Sequence, residues 1–481
     1  MSDLPRFEEI CYLPATKALD LFRKRELSPV ELLNAHLARA ERLEPLLNAF
    51  SAQRREEALA AARAAERVYA DLNAAPRPLE GIPVALKNEH TLRGWVTTKG
   101  SWLQGDTPDT VNAPITQRLL DAGSVIHAQT NVPEYYMAGF TRSARHGVTR
   151  NPWNSAMTPG GSSGGSGAAL AAGLTTLASG SDICGSIRIP ASYCGVVGLK
   201  PSYGRVPVTP IAYALHTMNH IGPMARTVAD CALMFNVING PCAADPATVS
   251  PRLEVPLVFA PVTGLRVALS WDLGYYQVHE DVRKGLERVV QALRGQGALV
   301  EEVELDWDAR AGEAVEHRLG YETGREFATR ILTQDRETSD YIRHFSAAGV
   351  NVTGEQYLDT NATVNRMYES MAGLMEKYDA LICPTMASIG SAAEGQRDSW
   401  DLLRTEAMTY PFNLLSRHPV LSVPSGVASN GVPTGVQVVG RTFDEATVFR
   451  IGAAVEQAMW QDMRPDIAAS VDSAALHNKA A

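Results

Sequence analysis

The stretch Leu265-Arg266-Val267-Ala268-Leu269, followed by Val282, Leu286, Val289 and Leu293 and then by Ala298 to Leu305, decides the fold class. Apolar residues returning every three to four positions mark an amphipathic helix, and the short apolar runs on either side read as strands. Strand, helix and strand in that order make a βαβ unit, in which the helix carries the chain back so that the strands lie parallel. The expectation is a layered α/β protein.

Outward from this unit the same signals repeat. Upstream, Ile82-Pro83-Val84-Ala85-Leu86-Lys87 and Ser124-Val125-Ile126-His127-Ala128 read as strands, with a helix over Ala113 to Ala122 between them. The N-terminal section, about 10–75, is helical. Ser28-Pro29-Val30-Glu31 has the pattern of a capping box with proline in the first turn, and Glu56 to Asn73 is a second helical stretch. Downstream, 306–375 reads as a charged helical insertion. Pro419 to Pro424 and Gly435 to Gly440 flank Asn430-Gly431, a hairpin signal. Asp444 to Ala458 is a last helix, and the tail after Pro465 reads as loose. With no repeat and no linker, residues 1–481 are expected to form one domain.

Composition narrows the partners. A net charge of −9 over 481 residues argues against nucleic acid or an anionic membrane as the main partner. The six cysteines are scattered without a CxxC pair, no HExxH occurs, and no apolar run approaches a membrane span. Met1-Ser2-Asp3-Leu4-Pro5-Arg6 lacks a signal-peptide core. These features lead to the expectation of a reduced, cytoplasmic protein without disulfides or structural zinc. Separately, no metal or cofactor is expected, and the partners are expected to be a small-molecule substrate, with the protein a monomer or homodimer.

Two glycine-rich segments carry the candidate chemistry: Pro159-Gly160-Gly161-Ser162-Ser163-Gly164-Gly165-Ser166-Gly167, and Gly180-Ser181-Asp182-Ile183-Cys184-Gly185-Ser186-Ile187-Arg188. Glycine lets the main chain approach a ligand closely, so a serine there can serve as a nucleophile beside bare N–H groups for an oxyanion. A flexible linker is the plainer reading of such composition, but apolar flanks and the residues Asp182, Arg188 and Pro190 do not suit one. Gly160-Gly161-Ser162-Ser163-Gly164 fits G-x-S-x-G, yet the polar, proline-containing Thr149 to Pro159 is no strand leading into a nucleophile elbow. None of the eleven histidines stands in a triad setting. Lys87, at the end of an apolar run, is a candidate base if burial lowers its pKa, although most strand-end lysines are merely surface residues.

Together, Pro83-Val84-Ala85-Leu86-Lys87, the Gly-Gly-Ser-Ser-Gly-Gly loop and Ser181 through Pro201 resemble the amidase signature family. The likeness continues through Thr130 to Glu134, Thr149 to Trp153, Tyr203 to Pro207, Tyr378 to Pro384 and Pro424 to Gly440, covering about 10–460. It implies a mixed central sheet with helices on both faces and a Ser–cisSer–Lys triad. By position Ser186 matches the nucleophile, Ser162 the bridging serine after a cis bond from Gly161, and Lys87 the base. The N–H groups of Ile183, Cys184, Gly185 and Ser186 match the oxyanion hole, each donor worth roughly 3 kcal/mol in the transition state. Asp182 and Arg188 are expected to brace the loop and Ser163 to support Lys87. Ser166 and Ser181 are read as helix-start and loop hydroxyls. Tyr135, Tyr136 and Met137 are expected to line the pocket.

The sequence departs from that family at Cys184, where glycine is usual, at Asn88 after the lysine, at Ala128-Gln129 and at His418. These changes are expected around the pocket. The implied activity is hydrolysis of an amide, anilide or carbamate, with possible esterase side activity. The alternatives are the glutaminase subunit of a tRNA-dependent amidotransferase, which typically carries glutamine where Ile189 stands, and a non-catalytic binding protein.

Overall fold

The computed structural model describes residues 4–208, 217–331, 337–395, 399–459 and 463–467; the expected loose tail after Pro465 falls outside them from residue 468 on. Strands Arg266–Leu269 and Leu299–Glu302 pair in parallel and are joined by helix Glu280–Gly295, as the opening stretch predicts. Val282, Leu286, Val289 and Leu293 are all buried.

This βαβ unit forms one edge of an 11-stranded sheet. From that edge the order is Leu299–Glu302, Arg266–Leu269, Ala380–Pro384, Pro433–Gly440, Val420–Val427, Val197–Lys200, His220–Ala225, Leu177–Asp182, Pro83–Lys87, Val125–Thr130 and Phe50–Gln53. Pairing is antiparallel through the middle and parallel nearer the two ends, with Phe50–Gln53 antiparallel at the far edge. The sheet is therefore mixed. Val420–Val427 and Pro433–Gly440 are the predicted hairpin, and Gly431 takes the positive φ of 80° in its turn.

Alternation along the strands feeds two cores. Leu421, Val423, Val436 and Val438 face a layer made by helices Val228–Ile238, Glu280–Gly295 and Glu445–Met459. Val420 and Val439 face the other way, toward helices Arg310–Leu319, Asp340–Val350 and Gly354–Met375 of the predicted insertion. At the N-terminus the capping box forms, with Ser28 Oγ accepting from Glu31 N at 3.1 Å and the Glu31 carboxylate accepting from Ser28 N at 2.8 Å. The following helix is Arg55–Ala70, shorter at its end than the Glu56 to Asn73 reading. Among the described residues no helix is long and apolar enough to cross a membrane.

Candidate active site

Lys87 ends a strand buried along its whole length. Parallel pairing of Val84 with Leu177 and Ala85 with Ala178 runs Lys87 alongside Ser179 to Ser181. Its main-chain N–H donates to Ser179 Oγ at 2.9 Å. Its Nζ, with no exposed surface, is 2.8 Å from Ser162 Oγ and 2.7 Å from Ser181 Oγ. Burial pushes its pKa below the ordinary lysine range, while the Glu89 and Asp182 carboxylates push back.

Ser162 follows a cis peptide bond from Gly161 and precedes helix Gly164–Ala171. No strand leads into it, in keeping with the rejected elbow reading. Gly161 is forced by close approach, since a Cβ there would lie 2.4 Å from the Phe140 carbonyl oxygen. The expected contact of Ser163 with Lys87 is not made. Ser163 Oγ instead braces the main chain of Ser181, accepting from its N–H at 3.3 Å and donating to its carbonyl at 3.4 Å. The hydroxyl that reaches Lys87 belongs to Ser181, read from the sequence as an ordinary loop residue. Which of several nearby hydroxyls meets the amine depends on the strand register. Ser166 donates to the Ser179 carbonyl at 2.9 Å, near the start of its helix.

Strand Leu177–Asp182 runs directly into the loop that carries Ser186. Asp182 and Arg188, both wholly buried, pair at 2.9 Å. Arg188 also donates to the Thr409 carbonyl, Gln437 Oε1 and Asn413 Oδ1, and Asn413 returns a bond to Asp182. Burial favours the neutral acid at Asp182, but the Arg188 guanidinium outweighs it and holds the carboxyl far below its usual range. These bonds tie the loop to residues 409–413 and to Gln437. Gly185 has φ 121°, and a Cβ there would meet Thr409 Oγ1 at 2.0 Å.

One expected oxyanion donor drops out. The Gly185 N–H donates to Asp182 Oδ1 at 2.8 Å and is already committed. The N–H groups of Ile183, Cys184 and Ser186 have no acceptor among the described residues. The Ser186 hydroxyl makes no hydrogen bond to Ser162 in this state, yet both open into one cavity with Glu89, Ser181 and Asn219. Such contacts often tighten only when substrate is bound. Among the described residues no three His, Cys, Asp or Glu side chains gather as a metal site requires.

On its other side Ser186 borders an apolar pocket that includes Cys184, Ile189, Leu319, Phe345, Trp400 and Leu403. Tyr136 and Met137 line both cavities, and Tyr135 lines the one that holds Ser162 and Glu89. Tyr135 and Tyr136 hold φ of 49° and 68°, and the Tyr136 ring stands 5.1 Å from Lys87 Nζ. Consecutive left-handed residues other than glycine persist where the surroundings enforce them, commonly beside reactive groups.

A family model described as Amidase matches residues 31–449. The chain belongs to the amidase family. A solved bacterial aryl acylamidase, described as one of the amidase signature enzymes, superimposes with a TM-score of 0.86 at 27% identity, over 95% of this chain and 98% of that one. An acylamidase from Rhodococcus erythropolis is 33% identical over 95% of this chain and 98% of its own length. A glutamyl-tRNA(Gln) amidotransferase subunit from Geobacter metallireducens is 34% identical over 93% of this chain and 98% of its own length.

As an amidase signature protein the chain is an amidohydrolase, which sets aside the reading as a non-catalytic binding protein. Of its departures from the family pattern, only Cys184 lines the cleft. Asn88 and Gln129 bond to each other at 3.3 Å behind it, and His418 bonds to the Gly440 carbonyl at 2.8 Å. The expectation that all these changes surround the pocket is corrected: Ala128 and Gln129 are buried within their strand, and Asn88, in the turn after Lys87, is bonded to Ser51, Thr98 and Lys99. Burial pushes the Cys184 thiol up, so it stays protonated and acts as a wall. The residue missed altogether is Glu89, whose carboxylate lies 3.4 Å from Lys87 Nζ.

Proposed function

We propose that this amidase hydrolyses the C–N bond of a linear amide, anilide or carbamate with an apolar acyl side, through an acyl- or carbamoyl-enzyme on Ser186. In its neutral form, which burial favours, Lys87 takes the proton of Ser162, which takes that of Ser186 as its Oγ attacks the carbonyl carbon. The N–H groups of Ile183, Cys184 and Ser186 receive the developing oxyanion. On collapse the relay runs backward, and Ser162 hands a proton to the departing nitrogen. Water then attacks the acyl-enzyme through the same relay and frees Ser186.

The observation that carries this reading is the Lys87 Nζ–Ser162 Oγ hydrogen bond of 2.8 Å at the wall of a cavity shared with Ser186. The two cavities suggest an orientation. Ser162 must reach the leaving nitrogen, so the amine faces the cavity that Ser162 lines, and the acyl group enters the pocket walled by Leu319, Phe345 and Trp400. Esters, whose leaving oxygen needs the same proton, are expected as side substrates.

Relatives that are amidotransferase subunits keep a glutaminase reading in view. Ile189 is buried in the wall of the apolar pocket, where a glutamine carboxamide would find few partners. Activity of the chain purified alone, as monomer or homodimer, separates the two readings. The test is a panel of primary amides, anilides, esters and carbamates, with mass detection of an adduct on Ser186. Ser186→Ala is expected to lose turnover by about 10⁴-fold or more; wild-type rates in that variant refute the proposal.

A further inference from the structure

The Lys87 ammonium has a third oxygen neighbour that the relay leaves unused. Glu89 Oε2 stands 3.4 Å from Nζ and also accepts the Ser181 hydroxyl, whose oxygen is itself 2.7 Å from Nζ. Lys87 Nζ therefore faces three oxygens, those of Ser162, Ser181 and Glu89. An ammonium offers three N–H donors, while a neutral amine offers two and a lone pair.

Counting donors gives these bonds a direction. An ionised carboxylate only accepts, so the bond between Glu89 and Ser181 must use the serine's own proton. That leaves Ser181 Oγ only acceptor capacity toward Lys87. Neutral Lys87 then gives one N–H to Ser181 and the other to Glu89, and its lone pair falls on Ser162. We propose that Glu89, acting with Ser181, is a positioning residue that aims the Lys87 lone pair at Ser162 and holds the ammonium formed when Lys87 takes the Ser162 proton. This rests on the relay of the preceding section.

The proton count balances. The Ser186 proton moves to Ser162 Oγ as the Ser162 proton moves to Nζ, and the three N–H bonds of the ammonium then match the three oxygens. Both transfers reverse as the leaving nitrogen is protonated, and no other reactant is needed.

The surroundings leave this role to Glu89. Asp182 is tied to Arg188. His90, its Nδ1 bonded with Ser179 Oγ, is kept neutral by burial with a pKa of about 4. The Tyr136 ring covers Nζ from the cleft side. Asn88 turns away, donating to Ser51 Oγ and accepting from Thr98 Oγ1 and Lys99 N. Burial works to protonate Glu89, while the ammonium form of Lys87 and the Ser181 bond pull its carboxyl below the ordinary value. Its side chain is 12% exposed, so it borders the cleft.

The test is the pH dependence of kcat and KM on an activated anilide for the whole enzyme and its variants, with the rate of Ser186 labelling by a fluorophosphonate. In wild type the rate rises with pH as Lys87 loses its proton. In Glu89→Gln the neutral amide no longer favours the ammonium, so the midpoint moves to lower pH by about one unit or more. The plateau kcat falls about 10²-fold while KM changes by less than about threefold. Glu89→Asp, which keeps the charge, is expected to recover part of the loss. A folded Glu89→Gln variant with wild-type kcat and an unmoved midpoint overturns the proposal. If that variant does not fold, Ser181→Ala serves: it breaks the link and is expected to lower kcat at least about tenfold, and an unaltered kcat refutes the role. Failure of Ser186 to be labelled condemns the relay itself. Rapid labelling with an indifferent Glu89→Gln condemns only the positioning role.

Discussion

Cys184 shows how much one side chain can decide beside Ser186, the proposed nucleophile. It follows Ile183 in the loop whose N–H groups face Ser186, and its buried thiol lines the apolar pocket. A protonated thiol there takes up room that the family's usual glycine leaves open. Cys184→Gly, which removes Cβ and Sγ, is expected to raise kcat/KM for a branched acyl anilide relative to its acetyl counterpart by about tenfold or more, the selectivity that a single methylene already commands. The ratio of the two substrates is the readout, since any disturbance of the Cys184 N–H affects both. An unchanged ratio would mean that the sulfur does not limit the pocket. Cys184, Ser186, Ser162 and Lys87 could be picked out from the sequence because each sits in a short, characteristic motif. Ser181 and Glu89 could not, because their meaning lies in the contacts of Ser181 to Lys87 and Glu89, 94 and 92 positions away, and in the Glu89 contact to Lys87 around a strand end.

The strand Leu177–Asp182, the nucleophile loop and helix Arg188–Cys194 work as one element pinned by a buried ion pair. Asp182 accepts the N–H groups of Gly185, Ile187 and Arg188 and so shapes the loop main chain directly. Asp182→Asn would leave the Arg188 guanidinium buried beside a neutral amide. Breaking such a pair from one side costs about 3–5 kcal/mol. The urea midpoint should drop at unchanged m-value, and Asp182→Asn with Arg188→Met should recover part of the loss. The sign with pH is also fixed. Because the folded-state pKa of Asp182 is depressed, its stabilisation is present above the unfolded carboxyl pKa and fades only as pH falls through the folded value. A single variant as stable as wild type at neutral pH would show that Asn413, Gln437 and Thr409 hold the loop without the charge. At this scale the sequence was informative where periodicity was clean, as in the βαβ unit and the hairpin. It was not informative about Gly185, whose N–H is claimed by a carboxylate three residues back.

At the scale of the whole molecule the proposed catalytic residues and the proposed acyl pocket come from different parts of the chain. Lys87, Ser162 and Ser186 hang on adjoining strands and loops of the sheet, whereas Leu319, Phe345, Trp400 and Leu403 arrive from the helical insertion and the segment after it. We propose that these parts fold as one domain, since the sheet draws strands from residue 50 to residue 440. The insertion was readable as helix but not as pocket, because amphipathic periodicity says which face is buried and nothing about what it is buried against. Phe345 stacks on Trp400 with ring centroids 5.2 Å apart, so the pair forms an aromatic wall of the pocket that Cys184 also lines. Phe345→Leu keeps most of the apolar volume but removes the flat partner. It is expected to raise KM for an aryl-acyl anilide by about tenfold, equivalent to ~1.4 kcal/mol of lost aromatic contact. An acetyl anilide does not reach that wall, so its kcat/KM should change by less than about threefold. Equal losses on both substrates would place the effect on folding or on Ser186 itself, and no loss on either would move the acyl group out of this pocket and into the cavity beside Glu89.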